Sequence, residues 1–162
     1  MDRLHEQFTQ QINEISQSTS RTNSVSIIKI TKNDSIKRKV ANITTQLHES
    51  KHVLIASLSN SIPKAISIIE IVKSVFKEEN VKLQQFNRLT HLESTHNPSY
   101  KPKQENSEES DKKQDDEKRQ QMIEEEVLQS INGPKVYQLP VMYVILSIDD
   151  TLPFDLTSWN KQ

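Results

Sequence analysis

The stretch SIPKAISIIEIVKSVF, Ser61–Phe76, decides the fold. Wound at about 100° per residue, it places Ile62, Ala65, Ile66, Ile69, Val72 and Phe76 on one stripe, the width a sheet-covering helix needs. Ile68, Ile71 and Val75 form a second stripe beside the first, which widens the apolar arc to roughly 220°. Ser67, Glu70, Ser74 and Lys77 keep one side wet. The helix therefore has more apolar surface than one sheet face requires. Two covers fit the second stripe: a neighbouring helix of the same chain, or a partner. Ile68, Ile71 and Val75 are the expected partner surface.

Working outward, HVLIASL (His52–Leu58) precedes this helix and has no wet face, as a buried central strand should not. Before it, Ile36, Val40, Ile43 and Leu47 recur at helical spacing and predict an amphipathic helix of about 15 residues. Thr31 or Asn33 is placed to cap it. SVSIIKI (Ser24–Ile30) reads as a β-branched strand. After the central helix, Val81–Leu92 predicts a long strand and KVYQLPVMYVILSI (Lys135–Ile148) a last one, with Pro140 marking a bulge or edge feature. The order β-α-β-α-β-β implies a two-layer α/β sandwich, with two helices on one face of a four-stranded mixed sheet.

Residues 1–23 are a polar extension, flexible or a docking helix, with Leu4, Phe8, Ile12 and Ile15 at helical spacing. Isolated helices of this length are marginal, which favours disorder. The domain expected at 24–148 carries an insertion at about 95–134 that is too charged to offset its ordering entropy and is expected to be disordered, except for a turn or two of helix in QQMIEEEVLQSI. The tail 149–162 holds Leu152, Phe154, Leu156 and Trp159, suited to recruiting other subunits or to folding back on the core.

Among its 162 residues the chain has no cysteine and one glycine, Gly133. Thiol chemistry, disulfides, a Rossmann fingerprint and a phosphate-cradling glycine loop are thereby excluded. His5, His48, His52, His91 and His96 lack metal-ligand spacing, and Asp149-Asp150 reads as a solvated strand end. No catalytic constellation emerges, and neither an enzyme nor a cofactor is expected. No apolar run approaches the ~20 residues of a membrane span, nor does the start resemble a signal peptide. The sequons at Asn33 and Asn42 read as chance matches.

Charge is segregated. Residues 25–103 carry 13 Lys/Arg against 6 Asp/Glu, while 104–126 carry 4 against 10. A basic body can approach a polyanion. In ITKNDSIKRKV, Lys32 lies at a helix N-terminus, where free N–H groups already favour an anion. Lys37, Arg38 and Lys39 follow, fanning over roughly 200°, so that only some can face one backbone. Lys64 opens the central helix at the same end of the sheet, because both helices follow parallel strands.

These residues carry a resemblance. KAISIIEIV within the central helix and the Ile30-Thr31-Lys32 turn resemble the Alba family of nucleic-acid-binding domains, from about Val25 to Ile148 without the insertion. Asn33 stands where archaeal members have a second lysine, and Ser59-Asn60 where they have Gly-Arg, which separates the chain from sequence-blind DNA coating. ITKNDSIKRKV, QFNRLTHLES (Gln85–Ser94) and DLTSWNKQ (Asp155–Gln162) are similar to the Alba-like subunits of yeast ribonuclease P and ribonuclease MRP.

That resemblance implies a nuclear, nucleolar, non-catalytic subunit that heterodimerises with a second Alba-like chain. The pair would bind a stem and internal loop of the catalytic RNA, and also telomerase RNA, with tails reaching other subunits. The RNA-binding residues so nominated are Lys32, Asn33, Lys37, Arg38, Lys39, Lys64 and Arg88. Two alternatives stay open: a protein-interaction scaffold without RNA contacts, and a free-standing Alba protein on chromatin or messenger RNA.

Overall fold

The computed structural model describes residues 2–19, 25–95, 123–124, 127–128, 130–131, 133, 135–150 and 155–162. Most of the expected acidic insertion, together with Leu152 and Phe154, lies outside them. The elements run α1 (Asp2–Thr19), β1 (Ser26–Ile30), α2 (Ile36–Ser50), β2 (His52–Leu58), a 3-10 turn (Ser59–Ser61), α3 (Ile62–Glu78), β3 (Gln84–Ser94), β4 (Tyr137–Ser147) and β5 (Asn160–Lys161). The sheet is mixed, in the order β1-β2-β4-β3-β5. β1 and β2 pair in parallel from Ser26↔Val53 to Ile30↔Ser57, and β4 runs antiparallel to β2 from Leu58↔Val141 to His52↔Ser147. Pro140 falls one residue outside that register, so its missing N–H removes no bond to β2.

Residues 1–92 and 139–162 form one unit. Strand alternation divides its sheet into two apolar faces. Ile28, Ile30, Val53, Ile55, Val144 and Leu146 point to one face, where they join Ile43 and Leu47 of α2 and Ala65, Ile68, Ile69, Val72 and Phe76 of α3. This is the expected α/β layer pair.

The opposite face is also closed. Leu54, Ala56, Phe86, Val141, Tyr143 and Ile145 meet Phe8, Ile12 and Ile15 of α1 and Trp159. The extension is thus a docked helix on a sheet that already needed a cover. Tyr143 donates its hydroxyl to Gln11 Oε1 at 2.8 Å, and Lys29 Nζ donates to Thr9 Oγ1 at 2.7 Å. The tail folds back as well: β5 pairs with Phe86 and Asn87 of β3 as a short fifth strand.

The partner surface expected on α3 needs correction. Ile68 is 0 % exposed, buried against its own α2 and sheet, so it cannot meet a partner. Val75 is half-buried. Ile71 is 42 % exposed and Ile66, placed by the helical wheel on the sheet-facing stripe, is 48 % exposed. The wheel fixed the width of the arc but not its rotation. α2 occupies the side that carries Ile68, which turns Ile66 outward. The turn before α3 is as expected: Pro63 lies in the first turn, and Ser61 Oγ donates to the Leu58 carbonyl at 2.7 Å while accepting the Leu58 N–H at 3.1 Å.

Residues 93–138 form a second unit. In it, residues 123, 124, 127, 128, 130 and 131 are helical, with Ile123, Val127, Leu128 and Ile131 exposed.

Candidate nucleic-acid interface

The loop between β1 and α2 is built by lysines that turn inward. Lys64, from the first turn of α3, donates its ammonium to the carbonyl of Lys32 and, at 2.9 Å, to that of Asp34. Lys39 donates to the Lys29 carbonyl at 2.6 Å and lies 3.4 Å from the Asp34 carboxylate. Asp34 Oδ2 also accepts the Thr31 N–H at 2.6 Å and the Thr31 hydroxyl at 2.9 Å. Partial burial alone would raise the Asp34 pKa, but the bonds from Thr31 and the charge of Lys39 outweigh it and hold the carboxyl below its ordinary value. The loop therefore stays closed around an ionised carboxylate.

This geometry sorts the expected site residues. Lys32 and Lys64 do share one end of the sheet, as their positions after parallel strands require. Their roles differ: Lys64 braces the loop, and Lys32 points outward from it as an exposed side chain. Asn33 is likewise exposed. Lys37 and Arg38 are exposed on the first turns of α2, whereas Lys39 is drawn back beneath the loop. Arg88 does not join the group. It lies on β3, with β2 and β4 between it and β1, and its charge acts on Tyr143 on the α1 face of the sheet.

The N-terminus of α2 completes the site. Its N-cap is Ser35, not Thr31 or Asn33, and Ser35 makes no side-chain cap bond. Thr31 instead donates its N–H and hydroxyl to Asp34. The first turn of α2 contains no acidic residue. The free N–H groups of a helix start, the helix dipole and the exposed side chains of Lys32, Lys37 and Arg38 thus put positive charge along one loop and the first turn of α2, with only part of the fan able to face one phosphate. Arranged along a loop and a helix start, they suit a phosphate backbone, which carries charge at regular intervals. Among the described residues no group of acidic and histidine side chains can hold a metal ion, and no described helix is long and apolar enough to cross a membrane.

No curated protein matches this chain. Residues 26–93, from β1 almost to the end of β3, match the Alba family model.

Proposed function

We propose that the chain is a non-catalytic RNA-binding subunit of ribonuclease P and ribonuclease MRP, acting in tRNA 5′ maturation and rRNA processing as one half of a heterodimer with a second Alba-like subunit. The observation that carries the reading is the braced loop. Two lysines are committed to holding its carbonyls, while Lys32, Lys37 and Arg38 face outward beside an uncapped helix start. Such an array positions a ribose-phosphate backbone without reading sequence, and leaves selectivity to the shape and single-stranded loops of the RNA. An Alba domain is itself a mark of RNA- and DNA-binding proteins.

The ribonuclease P/MRP assignment is supported by the three resembling segments and by where they lie. ITKNDSIKRKV is the braced loop and the start of α2. QFNRLTHLES is most of β3, and DLTSWNKQ pairs with that same strand through Asn160 and Lys161. The partner surface is read on exposed Ile66, Ile71 and Leu89 in place of Ile68. A nuclear, nucleolar location and telomerase RNA as a further ligand go with the same reading.

The test is fluorescence anisotropy of the full-length protein, with its partner, on a stem and internal-loop RNA across a salt series. Removing one cation from a phosphate flattens the log–log salt slope by about 0.7–0.9. Lys32→Ala should flatten it by one such step, and Lys37→Ala with Arg38→Ala by up to two. Lys64→Met should weaken binding through the loop with less change of slope. Slopes unchanged in all the outward-facing variants would refute the site.

A further inference from the structure

Beside α3, between that helix and the strands β3 and β4, lies a surface groove of about 390 Å³. Ile66, Leu89 and Met142 line it with apolar surface, and Leu89 is 72 % exposed. Gln85 also lines it and is only 8 % exposed. Its Nε2 donates to Asn87 Oδ1 at 2.8 Å, Asn87 Nδ2 donates to Gln162 Oε1 at 3.1 Å, and the Gln162 N–H donates to the Gln85 carbonyl at 2.9 Å. This relay fixes the direction of the Gln85 amide. It leaves Gln85 Oε1 buried with no hydrogen-bond partner. A buried acceptor in that condition favours any ligand that brings a donor.

A carboxylate adds to the acceptor. Glu70 lines the same groove, and among the described residues its carboxylate pairs with Lys73 one turn away at 2.9 Å, a solvent-facing pair that exchanges at little cost. The groove's one cation, Arg88, belongs to the alternating set of β3 residues with Phe86, and its charge is felt at Tyr143 on the opposite face.

We infer that the groove receives an arginine side chain from a non-identical partner subunit, its stem along Ile66 and Leu89 and its guanidinium donating to Gln85 Oε1 and pairing with Glu70. Arginine fits because one planar head carries five donors on an apolar stem and can serve an amide oxygen and a carboxylate together. A second copy of this chain fits poorly. Among the described lining residues the one arginine, Arg88, belongs to the β3 set that points toward the α1 side, so a two-fold copy paired through this face does not bring a guanidinium into the groove. The inference rests on the paired-subunit reading above and names the chemistry of the partner.

The probe is N-acetyl-arginine N-methylamide, titrated into the full-length protein and followed by NMR at the Gln85 side-chain amide and the Leu89 methyls. Saturable shifts are expected, with the lysine and norleucine analogues weaker by about tenfold, the cost of removing a charge-assisted bond. Gln85→Leu and, at an exposed helical position that leaves folding intact, Glu70→Gln should each weaken the arginine analogue to a similar degree. Equal binding of the norleucine analogue, or unaltered arginine binding in both variants, overturns the inference. Neither residue lies in the braced loop, so the RNA salt slope reads the functional proposal separately. Loss of arginine binding with an intact slope sinks only the groove, and the converse sinks only the RNA site.

Discussion

On one face of the sheet α2 and α3 cover Ile28, Ile30, Val53, Ile55, Val144 and Leu146; on the other, α1 and Trp159 cover Leu54, Ala56, Phe86, Val141, Tyr143 and Ile145. The helices of the first face are the connections between strands, so they cannot leave without dismantling the sheet. The covers of the second face lie before β1 and after β4 and are outside the matched family segment. They are held by a few apolar anchors and by single polar ties such as Tyr143 to Gln11. The two cores are similar in kind but differ in how they are tethered. Covers that do not run from one central strand to the next open in local equilibria at lower free energy than the global transition.

Breaking each side in turn tests this difference. Phe76→Ala, in the first core, should cost about 3–5 kcal/mol and lower the single melting transition of the whole sheet. Ile12→Ala should cost about 2–5 kcal/mol locally. Its signature should be rapid proteolysis within α1 while the strands keep their hydrogen-exchange protection. If both variants melt as one unit, the two faces are equally integral. Tyr143→Phe should cost about 0.5–1.5 kcal/mol by removing one buried bond to α1.

Acid sharpens the contrast at the ends of the strands. Burial lowers the His52 pKa below its ordinary 6.5, against the opposing charge of Asp149. The unfolded chain therefore binds that proton more readily, and stability should decline as pH falls through 6.5 and on through the folded value. His52→Gln should remove that part of the decline. Asp34 is depressed below 3.8, so its contribution holds above that value and is lost only in stronger acid, as the loop opens. The smallest effect is expected at Lys51, which ends α2 in the left-handed region at φ 66°: Lys51→Gly should add up to about 1 kcal/mol.

Much of the first face was legible because both helices repeat apolar residues at helical spacing and HVLIASL has β-strand character. The second face left a signal too. A strand apolar on both sides needs two covers, and Phe8, Ile12 and Ile15 had the spacing to supply one. The marginal stability of isolated helices argued for disorder there, but docking on Leu54, Val141 and Tyr143 supplies what an isolated helix lacks. Ile66 and Ile68 were exchanged because a wheel carries no information on where the neighbouring helix sits. The basic loop was legible as a cluster, but not its division of labour. Lys32 and Lys64 look alike in sequence, and only the path of the backbone decides which ammonium meets carbonyls. β5 has two residues and no alternation, so nothing local announced it.

The strand order has a consequence for synthesis. β4 lies between β2 and β3, yet it is made after both, beyond the long acidic stretch. Until the ribosome delivers it, β2 has one open edge and β3 has no neighbour in the middle of the sheet. A nascent chain stopped before Tyr137 would display those unpaired edges as a template for aggregation, so this fold depends on its late central strand arriving before another chain does.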